Sequence, residues 1–127
     1  MNEQFLRLSA RDELYIIDLS KVLYLQADDH YTQVYYASGA HFFVPFGLAR
    51  IEELIAAIPH AKDHMLRLGR KYIVNLKGIF RISTVREMLY LFDDHGESVS
   101  IHISKPVLRS LMDMMSRSGV DASSDNQ

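Results

Sequence analysis

A mainly β fold with two helices is what this sequence predicts. Three observations point there. Short runs rich in β-branched and aromatic residues recur along the chain, separated by polar turn clusters. The hydrophobic period lengthens from two to about three and a half in only two places, after Pro45 and after Lys105-Pro106. No internal repeat or linker divides the chain. The expectation is about eight to ten short antiparallel strands, one mid-chain helix and one C-terminal helix.

Phe5-Leu6-Arg7-Leu8 reads as an edge strand and Arg11-Asp12-Glu13 as a polar turn. Leu14-Tyr15-Ile16-Ile17-Asp18-Leu19 and Val22-Leu23-Tyr24-Leu25-Gln26-Ala27 are strands on either side of Ser20-Lys21. Asp28-Asp29-His30 turns into the alternating strand Tyr31-Thr32-Gln33-Val34-Tyr35-Tyr36. Ser38-Gly39 closes a hairpin into His41-Phe42-Phe43-Val44, which Pro45 ends.

Phe46, Leu48, Ile51, Leu54, Ile55 and Ile58 then share one side of a helix that Pro59 stops. After a polar connection come the strand Tyr72-Ile73-Val74-Asn75-Leu76, Gly78, and a strand from Ile79 to Val85. Met88-Leu89-Tyr90-Leu91-Phe92 is a strand, Asp93-Asp94-His95-Gly96 a turn, and Ser98 to Ile103 a further strand. Ser104-Lys105-Pro106 suits a helix start, with Val107, Leu108, Leu111, Met112 and Met115 as the apolar face. The domain is expected over 1–115, followed by a disordered polar tail over 116–127.

At 127 residues the chain can bury a core of its own. A formal net charge of -2 argues against coating nucleic acid by bulk charge but permits one basic face. Without cysteine, disulfides, thiol catalysis and Cys-ligated zinc are excluded. No apolar run approaches the roughly 20 residues that span a bilayer, and the start lacks a signal-peptide layout. A cytoplasmic location without membrane contact is expected. No Gly-x-Ser-x-Gly, phosphate loop or dinucleotide fingerprint is present, so no enzyme and no cofactor is expected. His60 and His64 are four apart but lack a third ligand nearby, and read as surface histidines rather than a metal site.

The most informative stretch runs from Arg67 to Arg81. Arg67, Arg70, Lys71, Lys77 and Arg81 punctuate it, and no Asp or Glu stands between Met65 and Arg86. A basic stripe on rigid strands suits a polyanion, because lysine and arginine release counterions condensed on phosphates. A solvated strand face carries such charges too.

Several segments together resemble the LytTR family of bacterial DNA-binding domains. They are Val22-Leu23-Tyr24-Leu25-Gln26-Ala27 running into Asp28-Asp29-His30-Tyr31, the helix Gly47-Leu48-Ala49-Arg50-Ile51-Glu52-Glu53-Leu54, and Ile103-Ser104-Lys105. The most specific is Arg67-Leu68-Gly69-Arg70-Lys71-Tyr72-Ile73-Val74-Asn75 with Ile79 beyond it. The resemblance implies an elongated set of antiparallel β-sheets whose loops and strand ends reach successive major grooves. It implies DNA-facing positions at Asp29, His30 and Tyr31, at Arg67, Arg70 and Lys71, and at Ser104 and Lys105. Gly69-Arg70-Lys71 departs from the commoner His-Arg-Ser, and Lys105 replaces the commoner arginine, giving a point charge instead of a fork.

Arg67 and Arg70 are candidates to read guanine edges; Lys71 and Lys105 are candidates to hold phosphate. Asn75 is expected to tie down the turn at Lys77-Gly78. The reading that follows is a sequence-specific transcriptional regulator on double-stranded DNA, with promoter direct repeats or half-sites bound by a homodimer. The resemblance also implies a response-regulator setting, with an upstream receiver domain or a sensor-kinase, two-component system. The alternative is a β-rich protein-interaction or ligand-sensing module without DNA binding.

Overall fold

The computed structural model describes residues 4–117. The expected tail therefore lies outside the described residues, save for Ser116 and Arg117. In order, the elements are β1 (Phe5–Ala10), β2 (Glu13–Asp18), β3 (Val22–Asp28), β4 (Tyr31–Tyr36), β5 (His41–Val44), α1 (Leu48–Ile55), β6 (Met65–Leu68), β7 (Tyr72–Asn75), β8 (Ile79–Ser83), β9 (Met88–Phe92), β10 (Ser98–His102) and α2 (Lys105–Met115). Short 3-10 turns at Leu19–Lys21 and Leu76–Gly78 lead into β3 and β8. The strands form three antiparallel sheets, ordered β1-β2, β5-β4-β3-β7-β6 and β10-β9-β8. The mainly β class with one mid-chain and one C-terminal helix is as the sequence predicts.

The five-stranded sheet is covered on both faces, which is why β3 buries four residues in succession, Val22 to Leu25. One face, through Val22, Leu25, Val34, Val44 and Ile73, shares a core with β1, β2 and α1. The other, through Leu23, Tyr24, Leu68 and Val74, shares a second core with the three-stranded sheet and α2. Gly78 marks a close approach in that second core. A Cβ there would stand 3.0 Å from Leu23 Cδ1 and 3.4 Å from Leu91 Cδ2.

Four details differ from the sequence reading. The mid-chain helix ends at Ile55 instead of Ile58. Beyond it, the Ala57 and Ile58 N–H groups donate to Leu54 O (3.2 Å) and Ile55 O (2.9 Å), the tighter three-residue pattern that precedes Pro59. Arg67 lies inside a strand, β6, rather than ahead of one. Val85 falls in a turn and is 88% exposed.

The fourth concerns His64, which is 5% exposed and not a surface histidine. Pairing of Met65 with Asn75 brings the preceding His64 against Asn75. Asn75 Oδ1 accepts from Lys77 N–H at 3.0 Å, which is the predicted turn tie. Its Nδ2 donates to Val22 O at 2.9 Å, so its amide is oriented from both ends. The same Oδ1 lies 3.2 Å from His64 Nδ1, and His64 Nε2 lies 2.7 Å from Gln4 Oε1. With Asn75 fixed as an acceptor, a neutral His64 donates from Nδ1. Nε2 must then accept, which Gln4 can meet by turning its amide end for end. Burial holds the His64 pKa below its ordinary value, and Lys77 adds to the depression.

Two stability predictions follow from this network. Asn75→Ala strands Val22 O and Lys77 N–H and should cost about 1–3 kcal/mol, read as a lower midpoint in urea. For His64, the unfolded chain binds more protons than the fold between the depressed pKa and the ordinary 6.5. Its contribution is therefore full above that ordinary value and is lost as pH falls through the folded pKa. Thermal melts should show Tm dropping as the pH is lowered through this window, and His64→Gln should flatten the drop.

Candidate nucleic-acid interface

β3 and β7 pair antiparallel with Gln26 opposite Tyr72, and Ala27 N–H reaches Lys71 O at 2.7 Å. The Asp29-His30 turn and the Gly69-Arg70-Lys71 turn therefore leave the five-stranded sheet at the same end. The opposite end carries the Ser38-Gly39 turn, where Asp94 N–H bonds Ala37 O (2.9 Å) and His95 Nε2 lies 3.0 Å from Ser38 O. The three-stranded sheet thus covers that end. At the other, Asp29, His30, Tyr31, Arg70 and Lys71 are all exposed.

The first turn is a two-residue hairpin with Asp28 opposite Tyr31, and Asp29 takes φ 56° at its first central position. Aspartate tolerates that region better than most residues. Tyr31 is 45% exposed and stands edge-on to Phe43, centroids 5.5 Å apart, which is 56% exposed. Behind them Gln33 bridges strands: its Nε2 donates to Asp28 Oδ2 at 2.8 Å, and its Oε1 faces His41 Nε2 at 2.5 Å. The His41 ring stacks on Tyr35 (4.3 Å) and Tyr35 on Tyr24 (4.4 Å), while Tyr72 meets Tyr24 edgewise (6.0 Å). Burial first, then Tyr35 and Tyr72, pushes the Tyr24 phenol up to about 12.

Lys71 joins Gln26, Asp28, Gln33 and His41 around a polar hollow on this face. Phe43 and His41 were not among the sequence candidates. The available signal was the pair Phe42-Phe43, since consecutive strand residues face opposite ways and cannot share one core.

In the second turn Gly69 takes φ +67° with open space where a Cβ would point, so its backbone angle alone favours glycine. The bend that could carry both arginines to one edge is therefore present, but Arg67 does not use it that way. Its side chain is only 24% exposed, and its guanidinium is committed within the protein. Nε donates to Gly69 O (3.1 Å), Nη2 to Arg70 O (2.9 Å) and Nη1 to Glu52 Oε1 of α1 (2.8 Å). Alternation explains the direction: Arg67 pairs with Ile73, whose side chain lies in the α1 core.

Ser104 and Lys105 stand apart from these two turns, at the junction of β10 and α2. Ser104 is the N-cap by backbone geometry, and its side chain makes no capping bond. The β8–β9 turn holds the junction: Ile103 N–H donates to Glu87 O (3.1 Å) and Lys105 N–H to Glu87 Oε2 (3.3 Å). Glu87 Oε1 also faces His102 Nε2 at 3.1 Å. Both candidate side chains are exposed. Among the described residues no group of three His, Cys, Asp or Glu is placed to hold a metal, and no helix is long and apolar enough to cross a membrane.

Comparison with known proteins agrees with this architecture. The family model of the LytTr DNA-binding domain matches residues 12–116. The CO-responsive transcriptional regulator RcoM of Rhodospirillum rubrum is 42% identical over 87 residues, which is 67% of this chain and 34% of that protein. The chain thus matches about a third of that relative's length. A solved structure from Bacillus cereus, a LytTr DNA-binding domain of a protein described as a methyl-accepting/DNA response regulator, superposes with a TM-score of 0.61 at 25% identity. That match covers 89% of this chain and 97% of the solved one.

The Gly69 geometry gives a direct prediction. Gly69→Ala meets no neighbour but must hold a left-handed angle, so it should cost about 1–2 kcal/mol. Gly69→Asn should cost less, because asparagine visits that region more readily. Urea denaturation of both variants checks the order.

Proposed function

We propose that this chain, which belongs to the LytTR family of DNA-binding domains, is the sequence-reading part of a transcriptional regulator that meets successive major grooves with turns and strand ends. The observation that carries the reading is the exit of two exposed turns, Asp29-His30 and Gly69-Arg70-Lys71, at one uncovered end of a rigid sheet. The second turn sits in the stretch free of acidic residues. Arg70 is the residue we assign to a guanine edge, where its fork can engage O6 and N7 together. Lys71 and Lys105 hold phosphates, and the Ser104 hydroxyl adds a backbone contact. His30 and Tyr31 approach the neighbouring groove, with Phe43 buttressing the Tyr31 ring. Asp29 shapes its turn through the positive φ. Arg67 serves from inside.

In this reading residues 1–115 form the binding domain and 116–127 a polar tail. Two copies occupy promoter direct repeats or half-sites as a homodimer on DNA, because one domain covers too little duplex for a useful specificity ratio. An upstream receiver domain or a sensor-kinase system supplies the input, and the protein works in the cytoplasm without enzymatic activity. The relative with a CO-responsive name supports a setting in which such a domain reports a signal sensed elsewhere in the protein.

A salt series tests the binding. With about three cationic contacts, from Arg70, Lys71 and Lys105, log K should fall against log salt with a slope of roughly -2 to -3. Affinity that barely changes with salt would instead favour a protein-interaction module. On a duplex selected from a random pool, Arg70→Ala should cost about 1–3 kcal/mol and flatten the preference at one base pair. Lys105→Ala should weaken all duplexes alike and make the slope shallower by about one unit. Equal losses on selected and random duplex for Arg70→Ala would make it a phosphate clamp.

A further inference from the structure

We propose that Glu52 and Arg67 are a positioning pair through which α1 sets the sequence preference of the Gly69-Arg70-Lys71 turn. The proposal rests on the DNA-binding reading above, and it moves part of the specificity to a helix to which that reading assigns no DNA contact.

The turn has little else to hold it. Gly69, Arg70 and Lys71 are exposed, and nothing lies within 4 Å of where a Gly69 Cβ would point. Yet each of its carbonyls is held. Gly69 O accepts from Arg67 Nε, Arg70 O from Arg67 Nη2, and Lys71 O from Ala27 N–H. Trans peptides are planar, so carbonyls drawn inward send the following N–H groups, those of Arg70 and Lys71, the other way. The clamp therefore aims both the outer side chains and two backbone donors away from the core, where an anionic backbone would lie.

The clamp needs a planar fork, because one side chain must bond two carbonyls and a carboxylate in fixed relative directions. It also needs a fixed reference, which Glu52 provides. Its neighbour Ile51 is fully buried, and Leu48 and Ile55 anchor the same helix face at 4% and 3% exposure. The Arg67–Glu52 contact at 2.8 Å thus ties an exposed turn to the core 15 residues back in the chain.

The sign of the effect separates this role from simple charge. Glu52 is acidic, and removing a carboxylate from a DNA-binding surface should by electrostatics alone tighten binding to any duplex. A positioning pair demands the reverse on the preferred sequence. In the full chain, Glu52→Ala should weaken binding to the selected duplex by about tenfold while random duplex binds as well or better. Alanine suits this helical position, so the variant should fold. Arg67→Lys, which keeps the charge and loses the fork, should show the same loss of discrimination with an unchanged salt slope. The double variant should be no worse than either single one, because both break the same device. The backbone order parameters of Gly69, Arg70 and Lys71 should fall in Glu52→Ala while those of β3 and β7 hold.

If the wild-type chain selects no duplex from the pool, the DNA reading itself fails. If it selects one and Glu52→Ala keeps the full ratio of selected to random affinity, that reading stands and the positioning pair is wrong. Losses that add in the double variant, or rescue by Arg67→Lys, would make Arg67 a direct DNA contact instead.

Discussion

Burial of the five-stranded sheet on both faces is the constraint from which the rest follows. A sheet packed on β1, β2 and α1 on one side, and on a second sheet and α2 on the other, leaves open only the corner of one face at Tyr31, His41 and Phe43. Its edges and ends remain. One end is closed by contacts from the β9–β10 turn to Ala37 and Ser38. The other carries the two exposed turns. On the proposed reading, function is thereby displaced from the strands, which the core has claimed, to the short segments that link them. Segments so placed gain from rigid strands directly behind them, since a site is only as precise as its support.

This division also explains what could be read from the sequence. Strand and helix content came from periodicity, which two-sided burial blurs in β3 and β7. The role of Asn75 was legible because its tie to Lys77 N–H is local. The inward course of Arg67 was not, because its acceptor on α1 lies 15 residues away, and alternation says which face a side chain takes but not what waits there. His64 and Gln4 are 60 residues apart, so no spacing rule joins them. The Phe42-Phe43 pair did hold a signal, that one ring must leave the core. Knowing which one required the register of β5 against β4.

The basic stretch shows how one composition divides into separate tasks. Arg67 and Arg70 are three apart and chemically identical, yet the fold commits one guanidinium to carbonyls and a carboxylate and leaves the other exposed. The division arises at Gly69. Its left-handed angle reverses the chain so that Arg67 meets the carbonyl of Arg70, not its side chain. A count of basic residues would credit both to phosphate neutralisation. The geometry leaves only Arg70 exposed, and the expected salt dependence should be built from exposed cations only.

The junction at Lys105 follows a different logic from the two turns. Glu87 already supplies a carboxylate oxygen to the first N–H of α2, and a helix N-terminus favours a negative group there. A DNA phosphate arriving at this junction would face that carboxylate, so the helix start cannot act as a bare anion site. What remains is the exposed Lys105 side chain and the exposed Ser104 hydroxyl, which makes no capping bond. A point charge on a mobile stem can follow a phosphate through small shifts of the duplex, but it carries no information about sequence. The clamped turn offers the converse, a fixed direction and a forked donor. On the proposed reading the chain thus separates its two requirements in space: discrimination where the backbone is held from within, and adhesion where a carboxylate keeps the helix end occupied and leaves a single lysine to reach outward.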